Sequence, residues 1–159
     1  MDLSNWRKKA EEKKKENKQY LQKWSRKKGM EKLLPDLHDE AFEQIDCLQC
    51  ANCCKTISPR FKTPDIVRIA KHLRMKESVM IETYLRLDED GDYVVKSSPC
   101  PFLGSDNYCS IYDARPGDCR TYPYTDSGKF FQRTNTTFMN STTCPAVYFV
   151  LERLKQIAP

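Results

Sequence analysis

Cys47, Cys50, Cys53 and Cys54 fall within eight residues, in the run C-L-Q-C-A-N-C-C. Thiolates are strong ligands for zinc and iron, and two cysteines spaced C-x2-C grip one ion because the chain can reverse between them. The first three positions match a ferredoxin-type run, where a distant cysteine followed by proline supplies the fourth ligand. Cys100 and Cys144 are each followed by proline, and either could take that part. Cys54 departs from the ferredoxin pattern. In an extended segment adjacent side chains point to opposite sides, so Cys53 and Cys54 are expected to serve two centres rather than one. With Cys100, Cys109, Cys119 and Cys144 the chain has eight thiols. Eight divide into two four-sulfur sites, or into one site and a reactive or structural pair. All eight are candidate metal ligands. The spacing points to metal without choosing between zinc, iron and an iron–sulfur cluster.

The rest of the composition narrows the chemistry. With 159 residues, 39% hydrophobic and 31% charged, the chain is long enough for one domain with a modest core. No apolar run approaches the ~20 residues that span a bilayer, so no membrane is expected. The N-terminus lacks the apolar stretch of a secretory signal. The expected compartment is the cytoplasm, where thiols stay reduced and cysteines read as metal ligands rather than disulfides. A secreted disulfide scaffold whose signal has been removed is the alternative. Only His38 and His72 are present, which excludes histidine-rich sites. There is no Ser-His-Asp set, phosphate-binding glycine loop or H-E-x-x-H.

The elements that must position the thiols are mostly helical. Residues 1–28 read as one charged helix carrying Leu3, Trp6, Ala10, Tyr20, Leu21 and Trp24 near one side, interrupted by Lys13 and Asn17. Gly29 is a natural stop. Residues 1–30 hold eleven Lys/Arg against four Asp/Glu, a net of +7, and the remainder is −2, so the basicity belongs to a 1–29 extension ahead of a 30–159 cysteine domain. The extension is read either as a solvated helix packed through Trp6 and Trp24 or as an arm for RNA, a ribosome or another acidic partner. Leu33, Leu34, Leu37, Ala41, Phe42 and Ile45 predict a helix starting near Leu34, with Pro35 in its first turn, that delivers the chain to Cys47. His38 on this helix is read as a surface residue.

Past the cysteine run, Thr63-Pro64-Asp65 predicts a helix start with Ile66, Ile69, Ala70 and Leu73 facing inward. Ser78 caps a further expected helix with Val79, Ile81, Tyr84 and Leu85. Asp88 to Asp92 reads as an acidic turn rather than a calcium loop, since no Glu stands at the last coordinating position. Residues 93–96 and 129–133 are strand candidates. Residues 97–128 are rich in proline and glycine and predict loops; 134–143 is expected to be irregular. Cys144-Pro145 opens a final helix with Val147, Val150, Leu151 and Leu154 inward.

Taken in order, Cys47-x2-Cys50-x2-Cys53-Cys54, Pro99-Cys100-Pro101-Phe102-Leu103, Cys109-Ser-Ile-Tyr112-x2-Arg115-Pro116-x2-Cys119-Arg120-x-Tyr122-Pro123 and Cys144-Pro145 resemble the YkgJ-type cysteine-cluster family. The resemblance runs from about Ile45 to Leu154. It implies zinc or iron binding by the eight cysteines, with no settled reaction. A related cluster in a flagellin lysine methylase is associated with an iron–sulfur centre, which keeps a metal-dependent enzyme acting on protein or RNA as an alternative. Arg115 and Arg120 have three readings: charge that favours thiolate at Cys119, pairing with Asp113 and Asp118, or capture of a phosphate or carboxylate. The expected fold is a small, helix-rich α+β domain with two or three short strands and long metal-tied loops. Oligomeric state is left open.

Overall fold

The computed structural model describes residues 4–159. Leu3, the first residue of the expected N-terminal stripe, lies outside them. In chain order the helices and strands are α1 Trp6–Glu12, α2 Lys14–Trp24, α3 Leu34–Gln44, α4 Cys47–Cys50, α5 Asn52–Thr56, α6 Thr63–His72, α7 Glu77–Tyr84, β1 Leu85–Leu87, β2 Tyr93–Val95, α8 Gly117–Thr121, α9 Lys129–Gln132, α10 Thr134–Asn140 and α11 Pro145–Ile157. Single 3-10 turns cover Met30–Leu33 and Tyr112–Ala114. The fold is α+β and helix-rich, with one two-stranded antiparallel sheet among the described residues. It divides into two compact units, Met1–Asp46 with Pro123–Pro159, and Cys47–Tyr122.

The first unit is helical. The expected 1–28 helix is two helices, parted at Lys13 (φ −92°, ψ 9°). Lys13 lies where the apolar stripe fails, and its ammonium pairs with Glu152 on α11. Ala10, Tyr20 and Leu21 are buried, and the Trp6 ring lies against Tyr148, 6.2 Å between centroids. Leu34, Leu37 and Ala41 on α3 and Val147, Val150, Leu151 and Leu154 on α11 supply the facing apolar surfaces at helical spacing. Lys155, almost buried, reaches Glu16, Asn17 and Glu152.

Two local expectations fail in this unit. Residues 129–133 do not form a strand, because α9 buries the adjacent pair Phe130 and Phe131 together, which an alternating strand cannot do. Residues 134–143 are not irregular, because α10 internalises its own polar groups. Thr137 Oγ1 donates to Phe130 O at 2.6 Å and Ser141 Oγ to Phe138 O at 2.6 Å, so Thr137 and Ser141 are buried without losing partners.

The second unit holds the sheet. β1 and β2 pair as Leu85↔Val95, Arg86↔Val94 and Leu87↔Tyr93. Asp88 to Asp92 form the connecting turn. Asp88 Oδ1 accepts the N–H groups of Asp90 and Asp92, and Gly91 sits at φ 81°, open to glycine. Ile66, Ile69 and Ala70 of α6 face Met80 of α7, with Val95, Phe102 and Ile111 completing the core. Val79, expected inward, is 44% exposed, and Met80 takes that place.

Truncating Phe149→Ala, at 0% exposure, is expected to destabilise the first unit by about 3–5 kcal/mol through cavity formation. Both tryptophans lie in that unit, so urea unfolding followed by tryptophan fluorescence measures the loss.

Candidate metal centre

The cysteine run folds as two short helices. Cys47 and Cys50 bound α4, and Ala51 turns the chain in a left-handed conformation (φ 44°, ψ 19°) into α5, which carries Cys53 and Cys54. The Ala51 N–H donates to Cys47 O at 2.8 Å, closing the C-x2-C turn. Asn107 Nδ2 donates to Leu48 O at 2.7 Å and ties this turn to the loop before Cys109. The expected opposition of Cys53 and Cys54 assumed an extended segment. They are instead neighbours on a helix, with sulfurs 4.0 Å apart.

Backbone bonds then connect cysteines distant in sequence. The Cys100 N–H donates to Cys54 O at 2.8 Å, and Ser98 Oγ donates to Lys55 O at 2.7 Å. Leu103 N–H returns to Cys100 O, and Leu103 bridges Cys109 antiparallel. The Cys100 and Cys109 side chains lie against the core of the second unit. The loops expected over 97–128 are therefore built around cysteine backbones, with only single turns of helix inside them.

Cys119 sits on α8, and α8 is braced from three directions. Asp65 Oδ1 accepts the Gly117 N–H at 3.1 Å and Arg68 Nη2 at 2.7 Å; its other oxygen accepts the Lys62 N–H at 3.0 Å. Arg68 also donates to the carbonyls of Ala114 and Arg115. Arg60 Nε holds Asp118 at 3.1 Å. Arg120 donates to the carbonyls of Arg115 and Asp113. The sequence shows Asp65 as a helix first-turn residue and Arg68 as its i,i+3 neighbour. Neither position signals a clamp on a segment some fifty residues away.

Four of the thiols act on one another electrostatically. Burial pushes the Cys119 thiol up to about 12, reinforced by negative charge on Cys54, Cys100 and Cys109 and opposed by Arg115. Burial also raises Cys100 and Cys109, each further raised by charge on Cys54. Cys54 goes the other way, to about 7. The Cys53 thiol hydrogen-bonds its thiolate, and the Arg115 and Lys55 charges favour that form while burial opposes it. Cys54 is thus the member of the group most inclined to thiolate, and Cys100, Cys109 and Cys119 are shifted the other way. None of the eight cysteines is in a disulfide; Cys47 is exposed and the others are half-buried. Cys144 belongs to the first unit, where it caps α11 and lies against the core. His38 is half-buried rather than a surface residue, bonded to Thr125 Oγ1 at 2.8 Å and tilted against the Phe42 ring with centroids 4.6 Å apart. Among the described residues, no three Cys, His, Asp or Glu side chains are drawn close enough to hold one ion. The donor chemistry nonetheless suits a thiophilic metal: an all-sulfur set on braced turns, with one member already inclined to thiolate.

A family model described as "CxxCxxCC: Putative zinc- or iron-chelating domain" matches residues 46–145, more than half of the chain. The chain belongs to the CxxCxxCC family. No curated protein and no solved structure matches it. The CxxCxxCC match spans all eight cysteines and also takes in Asp65, Arg68 and Arg115, so the braces lie inside the family region with the thiols.

Burial alone would raise the Asp65 carboxyl, but Arg68 and the Lys62 and Gly117 amides outweigh it and hold it below its ordinary value. A carboxyl depressed on folding stabilises above its unfolded pKa, near ~3.9, and that contribution is lost as pH falls through the folded value. Asp65→Asn is expected to cost about 1–3 kcal/mol at pH 7. The gap from wild type should close as the pH drops below 4 (roughly the unfolded carboxyl value). Circular dichroism of urea unfolding on metal-free, reduced protein at several pH values checks both points.

Proposed function

We propose that this CxxCxxCC chain is a metal-binding protein in which Cys54, Cys100, Cys109 and Cys119 form one thiolate centre for zinc or iron. The observation that carries the reading is that these four, spread over 66 positions of sequence (Cys54 to Cys119), are mutual electrostatic neighbours on turns bonded to one another. Cys47, Cys50, Cys53 and Cys144 are the remaining proposed ligands, which makes the ligand set eight. A metal replaces the thiol protons and supplies the attraction that neutral thiols lack, drawing sulfurs together. The bound ion would act as a structural tie or, if iron in a cluster, as an electron carrier. Cysteines held outside disulfides fit a reducing compartment such as the cytoplasm.

Protein purified without oxygen is expected to carry stoichiometric zinc or iron by elemental analysis, colourless for zinc and brown for an iron–sulfur cluster. Cys119→Ser should lose one centre's worth of metal while its circular dichroism stays helical. Absence of both metals from the anaerobic wild type would sink the reading.

A second reading concerns partners. Lys8, Lys14, Lys15, Lys18, Lys27 and Lys28 are exposed on or beside α1 and α2, while the same helices bury Ala10 and Leu21. This basic face suits the phosphates of RNA, whose binding releases counterions. Replacing Lys14, Lys15 and Lys18 together by Glu should abolish retention of a single-stranded RNA and flatten its salt dependence. Unchanged RNA affinity would remove this reading.

A further inference from the structure

We infer that the chain pairs with a second copy of itself through its Cys47–Tyr122 unit: Leu87 and the acidic turn after it, on one copy, seat in the groove between α6 and α7 of the other. The inference is independent of the metal centre, since no cysteine lines the groove or the turn.

The groove follows from the way the chain passes between the two helices. α6 ends at His72 and α7 begins at Glu77. Arg74 turns the chain in the left-handed region (φ 55°), and the Met75 N–H donates back to Ala70 O at 3.0 Å. The connector therefore folds against α6 and leaves an open groove of about 460 Å³ beside it. Val67, Ala70 and Met75 supply its apolar lining. Lys71 and Lys76 add two exposed cations that have no ion-pair partner among the described residues. Glu77 is the one acid among the lining residues. Val67 stands one turn before Lys71 on the same face of α6 and is 44% exposed. Covering it removes apolar surface from water. Such a groove suits a branched apolar side chain flanked by carboxylates.

The same unit displays that segment. Leu85 and Leu87 share one face of the hairpin. Leu85 is buried, but Leu87 lies past the edge of the core and is 56% exposed. The acidic turn follows at once. It is pinned by Asp88, whose Oδ1 accepts the Asp90 and Asp92 N–H groups and whose own N–H donates to Asp92 O at 2.9 Å. Asp92 lies 4.0 Å from Arg60, whereas Glu89 and Asp90 are exposed and have no ion-pair partner among the described residues. An exposed leucine followed by two unpaired carboxylates thus matches an apolar groove flanked by two unpaired ammonium groups. The pinned turn lowers the ordering cost of docking. Leu87 is left uncovered by its own chain, so the groove it fills belongs to another copy. Each copy carries both halves, and a two-fold pair makes the contact twice.

Sedimentation velocity on the full chain, kept reduced so that no disulfide links copies, is expected to show the average mass rising with concentration from 18.6 kDa toward twice that value. Leu87→Ser should weaken the association about 10-fold or more. Lys71→Glu with Lys76→Glu sets an acidic groove against an acidic turn. Glu89→Lys with Asp90→Lys sets a basic turn against a basic groove. Each double variant alone should sediment as a monomer. Mixed, the two should associate as wild type does, because the acidic groove meets the basic turn in one contact and the native charges meet in the other. All five positions are exposed, and circular dichroism matching wild type checks that the fold is kept. A wild type that stays monomeric up to about 1 mM overturns the inference, as does a mixture no more associated than its two parts. A monomeric wild type that binds a labelled peptide of residues 85–92 gives the groove to an acidic segment of another protein, and likewise overturns the pairing of copies.

Discussion

The second unit depends on one buried carboxylate. Asp65 accepts three hydrogen bonds, from the Lys62 amide, the Gly117 amide and the Arg68 guanidinium, and is 7% exposed. Its first bond sets the start of α6. Its second fixes the start of α8. Its third orients the arginine that holds the carbonyls of Ala114 and Arg115. A buried acceptor stripped of even one such donor is expensive, so the geometry of the Arg115–Cys119 segment is set by α6. The thiol of Cys119 has no comparable anchor of its own on a helix of five residues.

A consequence is that the site is rigid in backbone and open in sulfur chemistry. Cys54, Cys100 and Cys109 are joined through main-chain bonds that no ligand is needed to form. Their side chains stay half-buried thiols or thiolate, governed by burial and by each other's charge. Preformed turns lower the ordering cost that an incoming ion would otherwise have to offset. The shifts within the four run in opposite directions, Cys54 down and Cys119 up.

Much of this was legible in the chain and some was not. The helices led by Pro35, Thr63-Pro64-Asp65 and Pro145 were readable because proline, first-turn acids and a 3.6-residue apolar repeat agree there. The turn at Asp88–Asp92 and the strand after it were readable from an acidic run beside a β-branched run, but β1 was not, because Leu85 continues the apolar spacing of the helix before it. Phe130 and Phe131 misled, since adjacent aromatics suit either a strand or a helix, and only the neighbouring surfaces decide. Thr137 and Ser141 misled because their hydroxyls satisfy local carbonyls and allow burial that composition does not announce. At the site the eight thiols were plain. Which of them are neighbours was hidden, because that follows from bonds such as Cys100 to Cys54 whose donors and acceptors are main-chain atoms common to every residue.

The division into a contiguous unit, Cys47–Tyr122, and one assembled from both flanking stretches has a bearing on biosynthesis. α1, α2 and α3 precede the Cys47–Tyr122 unit in the chain, but their apolar faces find α11 only after that later helix has emerged. The intervening unit is complete in sequence well before that moment, and domains fold as units during synthesis. Seven of the eight cysteines belong to the unit whose sequence is complete first. The thiol-bearing unit can thus take shape during synthesis before the core that α11 completes.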